Sequence, residues 1–288
     1  MLVGLALDCV YGMLSCQLGG PSLKNVIAVV NQKGGVGKTT TTANLAAGLA
    51  CLGQRVLTVD IDAQANLSAH YGYLADSAEG QRSMYDVLRY QLPIEEILVE
   101  VDDNLSLAPA SLLLSAADLE LGGIIGRELL LKRALEPVLD KYDYILIDCP
   151  PSLGLLSLNG LVASSRVVVP VQSEFLALHG VRQLLDTIDQ VRSAYNPSLR
   201  VGGVLICLHD ARRKLAKSVA ETVREYFGDL VFETVVRTNV SLAEAPSKGV
   251  SIFRYDSKCS GAEDYRALAE EILNNDQKIN KIRVQSAS

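Results

Sequence analysis

The sequence predicts an α/β fold, a mostly parallel twisted sheet with helices packed on both of its faces. Two observations carry that prediction. Short apolar runs alternate with amphipathic stretches along the chain, and strand–helix alternation of this kind builds parallel sheets through right-handed crossovers. The strand-like runs are also continuously apolar, as in strands covered on both sides. At 288 residues the chain can bury a substantial core within one large domain.

The strand-like runs, in order, are "VIAVV" (26–30), "RVLTVDID" (55–62), "YDYILID" (142–148), "RVVVPV" (166–171), "VGGVLICL" (201–208) and "LVFETVV" (230–236). Helical periodicity appears at 39–52, 128–140, 178–194, 213–227 and 262–273. No repeat or low-complexity linker divides them, so a single domain is expected over residues 25–274. Residues 1–24 begin with an apolar stretch, "MLVGLALDCVYGMLSCQLGG". It lacks a positive n-region and is interrupted by Asp8, so it reads as an extension of unknown role rather than a secretory signal. The tail 275–288 is polar, with Lys278, Lys281 and Arg283, and is expected to fray.

Nearly half the residues are apolar and about a fifth are charged, as in soluble globular proteins. The net charge of −6 argues against a basic coat for nucleic acid and leaves room for a local basic patch. The six cysteines (Cys9, Cys16, Cys51, Cys149, Cys207, Cys259) form no CxxC and no metal-spaced cluster with histidine. Reduced cytosolic thiols are expected, and zinc or an iron–sulfur cluster held within one chain is not. No stretch approaches the length that spans a bilayer.

"VIAVV" runs directly into "NQKGGVGKTTTT", and the helical "ANLAAGLACL" follows. Strand, glycine-rich loop and helix give a phosphate-binding loop its meaning. Gly34, Gly35 and Gly37 let the backbone turn its N–H groups, with those of Val36 and Thr40, toward an anion at a helix N-terminus. Lys38 would reach the β- and γ-phosphates, and the Thr39 hydroxyl would ligate Mg²⁺. ATP and Mg²⁺ are therefore the expected cofactors, and the architecture becomes the three-layer P-loop NTPase fold. The usual GxxxxGK[ST] asks for glycine at position 32, where this chain has Gln32, and Lys33 adds a second cation.

The form "KGGVGKTT" is a deviant Walker A sequence, and from about residue 24 to 273 the chain resembles the ParA/MinD class of ATPases. It is most similar to the ParA (Soj) type that partitions chromosomes and plasmids. The resemblance implies an ATP-sandwiched homodimer in which Lys33 crosses to the partner's phosphates. An added cation per site fits the physics, because two triphosphates buried at one interface repel strongly at low dielectric.

Three aspartates stand at strand tips. Asp60 and Asp62, in "VDIDAQANLS", would share one face if the strand ran that far. The resemblance implies that Asp62 positions the attacking water and Asp60 supports the magnesium shell, with Ala63 replacing the family's proline. In "YILIDCPPSLG", four apolar residues push Asp148 to the end of a buried strand, where a Mg²⁺-bound water is its natural partner. Pro150 and Pro151 then begin a stiff loop similar to the family's γ-phosphate sensor. In-line transfer to water with slow intrinsic turnover is the expected chemistry.

"HDARRKLAKSVAETVREYFG" (209–228) reads as a helix with Leu215, Val219, Val223 and Phe227 buried and Asp210 as its N-cap. Arg212, Arg213, Lys214 and Lys217 crowd its first turns, against the helix dipole, which points to compensation by phosphate. The resemblance implies a DNA-contacting role for Arg212 and places Asn239 near the base or ribose. In "RTNVSLAEAP", Thr238 and Ser241 replace family arginines, so Arg213, Lys214, Lys217 and Lys248 are candidates for the remaining contacts. Nonspecific double-stranded DNA, a ParB-like DNA-bound partner that stimulates hydrolysis, and a cytoplasmic, nucleoid-associated location are what the resemblance implies.

A MinD-like switch on a membrane surface is the alternative. Its C-terminal anchor would have to come from "NNDQKINKIRVQSAS", where Ile279, Ile282 and Val284 are too little to hold a bilayer, so no membrane partner is expected. Cluster carriers of the nitrogenase iron protein kind need paired cysteines that this chain lacks. A metabolic ligase of the same fold is a further, weaker reading.

Overall fold

The computed structural model describes residues 25–73, 81–172 and 177–286. Its strands are β1 (Val26–Val29), β2 (Val56–Asp60), β3 (Val99–Asp102), β4 (Leu105–Ala108), β5 (Tyr144–Asp148), β6 (Arg166–Gln172), β7 (Arg200–His209) and β8 (Val231–Arg237). They form one sheet in the order β3-β4-β2-β5-β1-β6-β7-β8, parallel throughout except for the β3–β4 pair. The helices are α1 (Lys38–Cys51), α2 (Asn66–His70), α3 (Met84–Tyr90), α4 (Ala117–Glu120), α5 (Leu130–Leu135) and α6 (Leu155–Val162), followed by α7 (Ala177–Ala194), α8 (Lys214–Phe227), α9 (Val240–Glu244), α10 (Ile252–Tyr255) and α11 (Ser260–Ser286).

The side-chain alternation of each strand divides the core in two. Val26, Ala28, Ile145 and Ile147 face one cluster, roofed by α3, α5, α6, α7 and α8. Ile27, Val56, Tyr144 and Leu146 face the other, roofed by α1 and α11. The predicted three layers are thus present. At Gly48 of α1 a Cβ would lie 3.2 Å from both the Tyr265 carbonyl and the Ala269 Cβ of α11, so glycine permits this close crossing.

Several elements differ from expectation for local reasons. The antiparallel β3–β4 hairpin went unpredicted: its strands are four residues long and alternate, and Asn104 turns between them at φ 58°. The expected helix over 128–140 is broken into short pieces, because Pro137 cannot continue the ladder of N–H donors. The expected fraying tail is instead the end of α11, which runs to Ser286. Asp276 pins it there, bidentate to Arg166 (2.5 and 2.7 Å) and accepting from the Tyr144 hydroxyl (2.7 Å). The apolar extension at 1–24 lies outside the described residues.

The outer edge of β8 is closed by α11. Glu271 accepts the N–H groups of Glu233 and Thr234 (2.9 and 3.1 Å), and Asp264 accepts that of Arg237 (2.8 Å).

Candidate functional site

Because the strands are parallel, the loops that follow β1, β2, β5, β7 and β8 share the C-terminal edge of the sheet, where α/β folds hold their ligands. β1 lies between β5 and β6, so the glycine loop emerges at the centre of that edge. Asn31 anchors its start. Buried, it donates from Nδ2 to the Pro170 carbonyl of β6 (2.7 Å) and accepts the Lys33 N–H at Oδ1 (3.0 Å). Gly35 and Gly37 take the left-handed conformation (φ 73° and 94°); Gly34 does not. No atom lies within 4 Å of where a Cβ at Gly34 or Gly35 would be. The Val36 side chain is 1% exposed and packed inward, which leaves its backbone to face a ligand.

No side chain caps α1 and no acid stands in its first turn, so its leading N–H groups and dipole are presented to an anion in the loop. The Lys38 ammonium folds back onto the Lys33 carbonyl at 3.2 Å. Burial lowers its pKa, against the opposing pull of Asp148 and Asp62. That places a cation where loop and acids converge.

Sheet register assembles the acids. Asp60 ends β2 directly opposite Asp148 at the end of β5, and Val29 of β1 stands on the other side of Asp148. Asp148 accepts from Thr39 Oγ1 at Oδ2 (2.7 Å), which joins the phosphate loop to the strand tip. Thr42, one turn further along α1, lies 3.2 Å from Oδ1. Asp60 is fully buried: Oδ1 accepts the Asp62 N–H (3.1 Å), and Oδ2 accepts both the N–H and the hydroxyl of Ser68 (2.9 and 2.7 Å). β2 stops at Asp60, so Asp62 does not share its face through strand pleat. It sits in a turn instead, where its Oδ1 accepts the Gln64 N–H (2.9 Å) and its carbonyl accepts that of Ala65 (2.9 Å).

Burial, with the nearby charge of Asp62, pushes the Asp60 carboxyl up to about 7, and burial with the charges of Asp60 and Asp62 pushes that of Asp148 up to about 8. Two carboxylates at adjoining buried strand ends call for a divalent cation. Among the described residues no group of three His, Cys, Asp or Glu closes into a metal set by itself. A Mg²⁺ here would take much of its shell from phosphate oxygens and water, as Mg²⁺ does at phosphate sites.

These shifts have a measurable consequence. The native acids retain protons that the unfolded chain releases near 3.8, so their contribution to stability falls as pH climbs toward 7–8. His70, lowered to about 4 by burial, and His209, also lowered, act in the opposite sense, but only below about 6.5. Between pH 6.5 and 8 the acids dominate. Nucleotide-free protein in EDTA is expected to melt roughly 4 °C lower at pH 8 than at pH 6.5, from about 2 kcal/mol. Addition of Mg²⁺ and ADP should flatten the slope. Thermal melts that do not change with pH in EDTA would contradict this electrostatic picture.

The basic residues after β7 lie on the same edge but two strands from β1. Asp210 is not the cap of α8: it accepts the Arg212 N–H and pairs with the Arg212 guanidinium (2.9 Å), while Arg213 takes the N-cap position without a capping bond. Leu215 is 62% exposed, so the buried stripe begins at Ala216 instead. The Arg212 side chain is 90% exposed, and Arg213, Lys214 and Lys217 are exposed with it. Lys248 stands apart on the turn Ala245–Lys248 near α2. Asn239 caps α9 through the Leu242 N–H (3.1 Å) and donates to Ser260 Oγ (2.9 Å), so both ends of its amide are engaged within the chain. Arg237 is occupied by Asp264 and Glu263 and adds nothing to the basic surface.

Asn31, Thr42 and Ser68 belong to this site and were not singled out from sequence. A polar residue ending an apolar strand, a threonine one helical turn from Thr39, and a serine just inside a helix after the Asp60–Asp62 turn are the signals they left.

Comparison with known proteins supports the same chemistry. An AAA domain family model matches residues 24–201. The sporulation initiation inhibitor protein Soj of Bacillus subtilis is 48% identical over 251 residues, 87% of this chain and 98% of that protein. The chromosome partitioning protein ParA of Myxococcus xanthus is 44% identical over 90% of this chain and 91% of its own length. Among solved structures, the cobyrinic acid a,c-diamide synthase of Mycobacterium smegmatis, with ADP and magnesium bound, superimposes with a TM-score of 0.76. It is 38% identical, over 86% of this chain and 94% of that one.

Proposed function

The chain belongs to the ParA/Soj-type partition ATPases, enzymes that use ATP and Mg²⁺, and from that premise we propose a specific working cycle for it. ATP brings two copies together across the C-terminal sheet edge, the dimer holds duplex DNA without reading its sequence, and a ParB-like partner triggers hydrolysis and release. The copies are partition machinery for a chromosome or plasmid, acting at the nucleoid. The relative named for chromosome partitioning, at 44% identity over 90% of this chain, favours this over the activity named for the synthase at 38%. Among the described residues no helix is long and apolar enough to cross a membrane.

The residues divide the work. The loop N–H groups from Gly34 to Thr40 and the Lys38 ammonium hold the phosphates. Thr39 would ligate Mg²⁺ directly, while Asp148 and Asp60 would hold its water shell. Asp62 orients the water that attacks in line, and Lys33 serves the partner's phosphates. Mg²⁺ would supply charge neutralisation at the β- and γ-oxygens.

The observation that carries the DNA reading is the start of α8. Its first turn holds no acid and no side-chain cap, and it is flanked by four exposed cations, of which Asp210 neutralises only part. Helix dipole and side chains thus present positive charge together, on the edge that carries the nucleotide. A gel shift on arbitrary duplex DNA with ATP, ADP or no nucleotide tests it: retention is expected with ATP alone and should weaken steeply with salt. Arg212→Glu should lower that affinity about 10-fold or more at low salt, since it removes one phosphate contact and adds repulsion in each copy. Equal retention in all nucleotide states would refute the ATP dependence, and an unaffected variant would place DNA on another face.

A further inference from the structure

We propose that Ser68 is a positioning residue for the magnesium site, fixing Asp60 as an acceptor toward the metal's water shell. This rests on the reading, given above, that Asp60 supports that shell. Ser68 is fully buried on α2, outside the phosphate loop and the strand tips. Its hydroxyl stands between two groups: Asp60 Oδ2 at 2.7 Å and the backbone N–H of Ala110 at 3.0 Å.

That arrangement has a direction. A serine hydroxyl owns one proton, and the Ala110 N–H can only donate, so it occupies a lone pair of Oγ. The hydroxyl proton is thereby committed to Asp60. The Ser68 N–H reaches the same oxygen (2.9 Å), and the Asp62 N–H holds the other (3.1 Å). Three donors from two residues clamp both oxygens, and the remaining lone pairs of Asp60 are held as acceptors beside Asp148. A water bound to Mg²⁺ is a donor, and outer groups of this kind tune metal affinity by orienting what the metal's ligands meet. Ser68 touches neither nucleotide nor reacting atoms in this scheme; it acts through Asp60.

The test is binding of Mn²⁺ to ADP-loaded protein, followed by the electron paramagnetic resonance of free Mn²⁺, beside ADP affinity measured in EDTA. Ser68→Ala is expected to weaken Mn²⁺ about 10-fold and to lower kcat similarly, with ADP affinity in EDTA unchanged. Ser68→Thr keeps the donor and the acceptor and should restore Mn²⁺ binding even if the added methyl lowers the melting temperature. A purely structural serine would show the reverse order. Should Ser68→Ala not fold, Ser68→Cys, a weak donor of similar size, is expected to show the same loss. Asp60→Asn separates the two levels of inference. Weak Mn²⁺ binding in Asp60→Asn with wild-type binding in Ser68→Ala or Ser68→Cys overturns the role of Ser68 alone. Wild-type binding in Asp60→Asn overturns the reading of Asp60 and the proposal with it.

Discussion

Lys33→Ala is expected to bind ATP and to remain monomeric with it. Both backbone polar groups of Lys33 are held by neighbours, its N–H by Asn31 Oδ1 and its carbonyl by the Lys38 ammonium, and alanine keeps both of these groups. Lys38, Thr39 and the N–H groups at the start of α1 still meet the nucleotide. On the proposed cycle, what disappears is the cation that would be offered to the second copy's phosphates. Two nucleotides facing each other across a drying interface repel, and a missing positive charge there is far more damaging than at the surface. Hydrolysis should fall about 10³-fold, the low end of what a cation supplied in trans contributes to phosphoryl transfer. Light scattering coupled to gel filtration with ATP and a nucleotide titration by fluorescence measure the two properties separately. ATP-dependent dimers of normal stability in this variant would remove the assigned role.

The second large effect falls on Asp62. Its carboxylate lies in the turn after β2, nearly buried, with one oxygen on the Gln64 N–H. Asp62→Ala is expected to cut kcat by about 10²–10⁴, the span typical of a group that orients or deprotonates a nucleophile. ATP affinity should be preserved, so the variant accumulates in the ATP-bound, associated state. Asp62→Asn keeps the shape and the acceptor for Gln64 while removing charge. If it is as slow as the alanine variant, the charge matters rather than the turn. Unimpaired turnover in both would refute the role.

The site was more legible in the sequence than its supports were. Gly35, Gly37, Lys38, Thr39 and Asp148 follow from strand, loop and helix alone, because phosphate binding demands those residue types at fixed spacing. The central strands were equally plain, being buried on both faces. What the pattern could not show depends on contacts distant in sequence. Ser68 meets Ala110 across 42 positions, and Asp276 reaches Arg166 across 110, extending a helix that polarity alone had ended. Asp210 was misread for a local reason: an aspartate before a basic helix can cap it or pair with the arginine beside it, and here Arg212 wins. The period assigns Leu215 to the core, yet it lies exposed in the first turn of α8 while Ala216 is buried.

The carboxylates of α11 that occupy β8 bear on how copies of this molecule can meet. An outermost strand with vacant amides is an invitation to polymerise, each chain lending its ribbon to the next. Here Glu271 and Asp264 have already answered those amides on that flank. On that flank, association through those three amides is closed, and a neighbour meeting it there would have to be recognised by side chains rather than by a main-chain ladder.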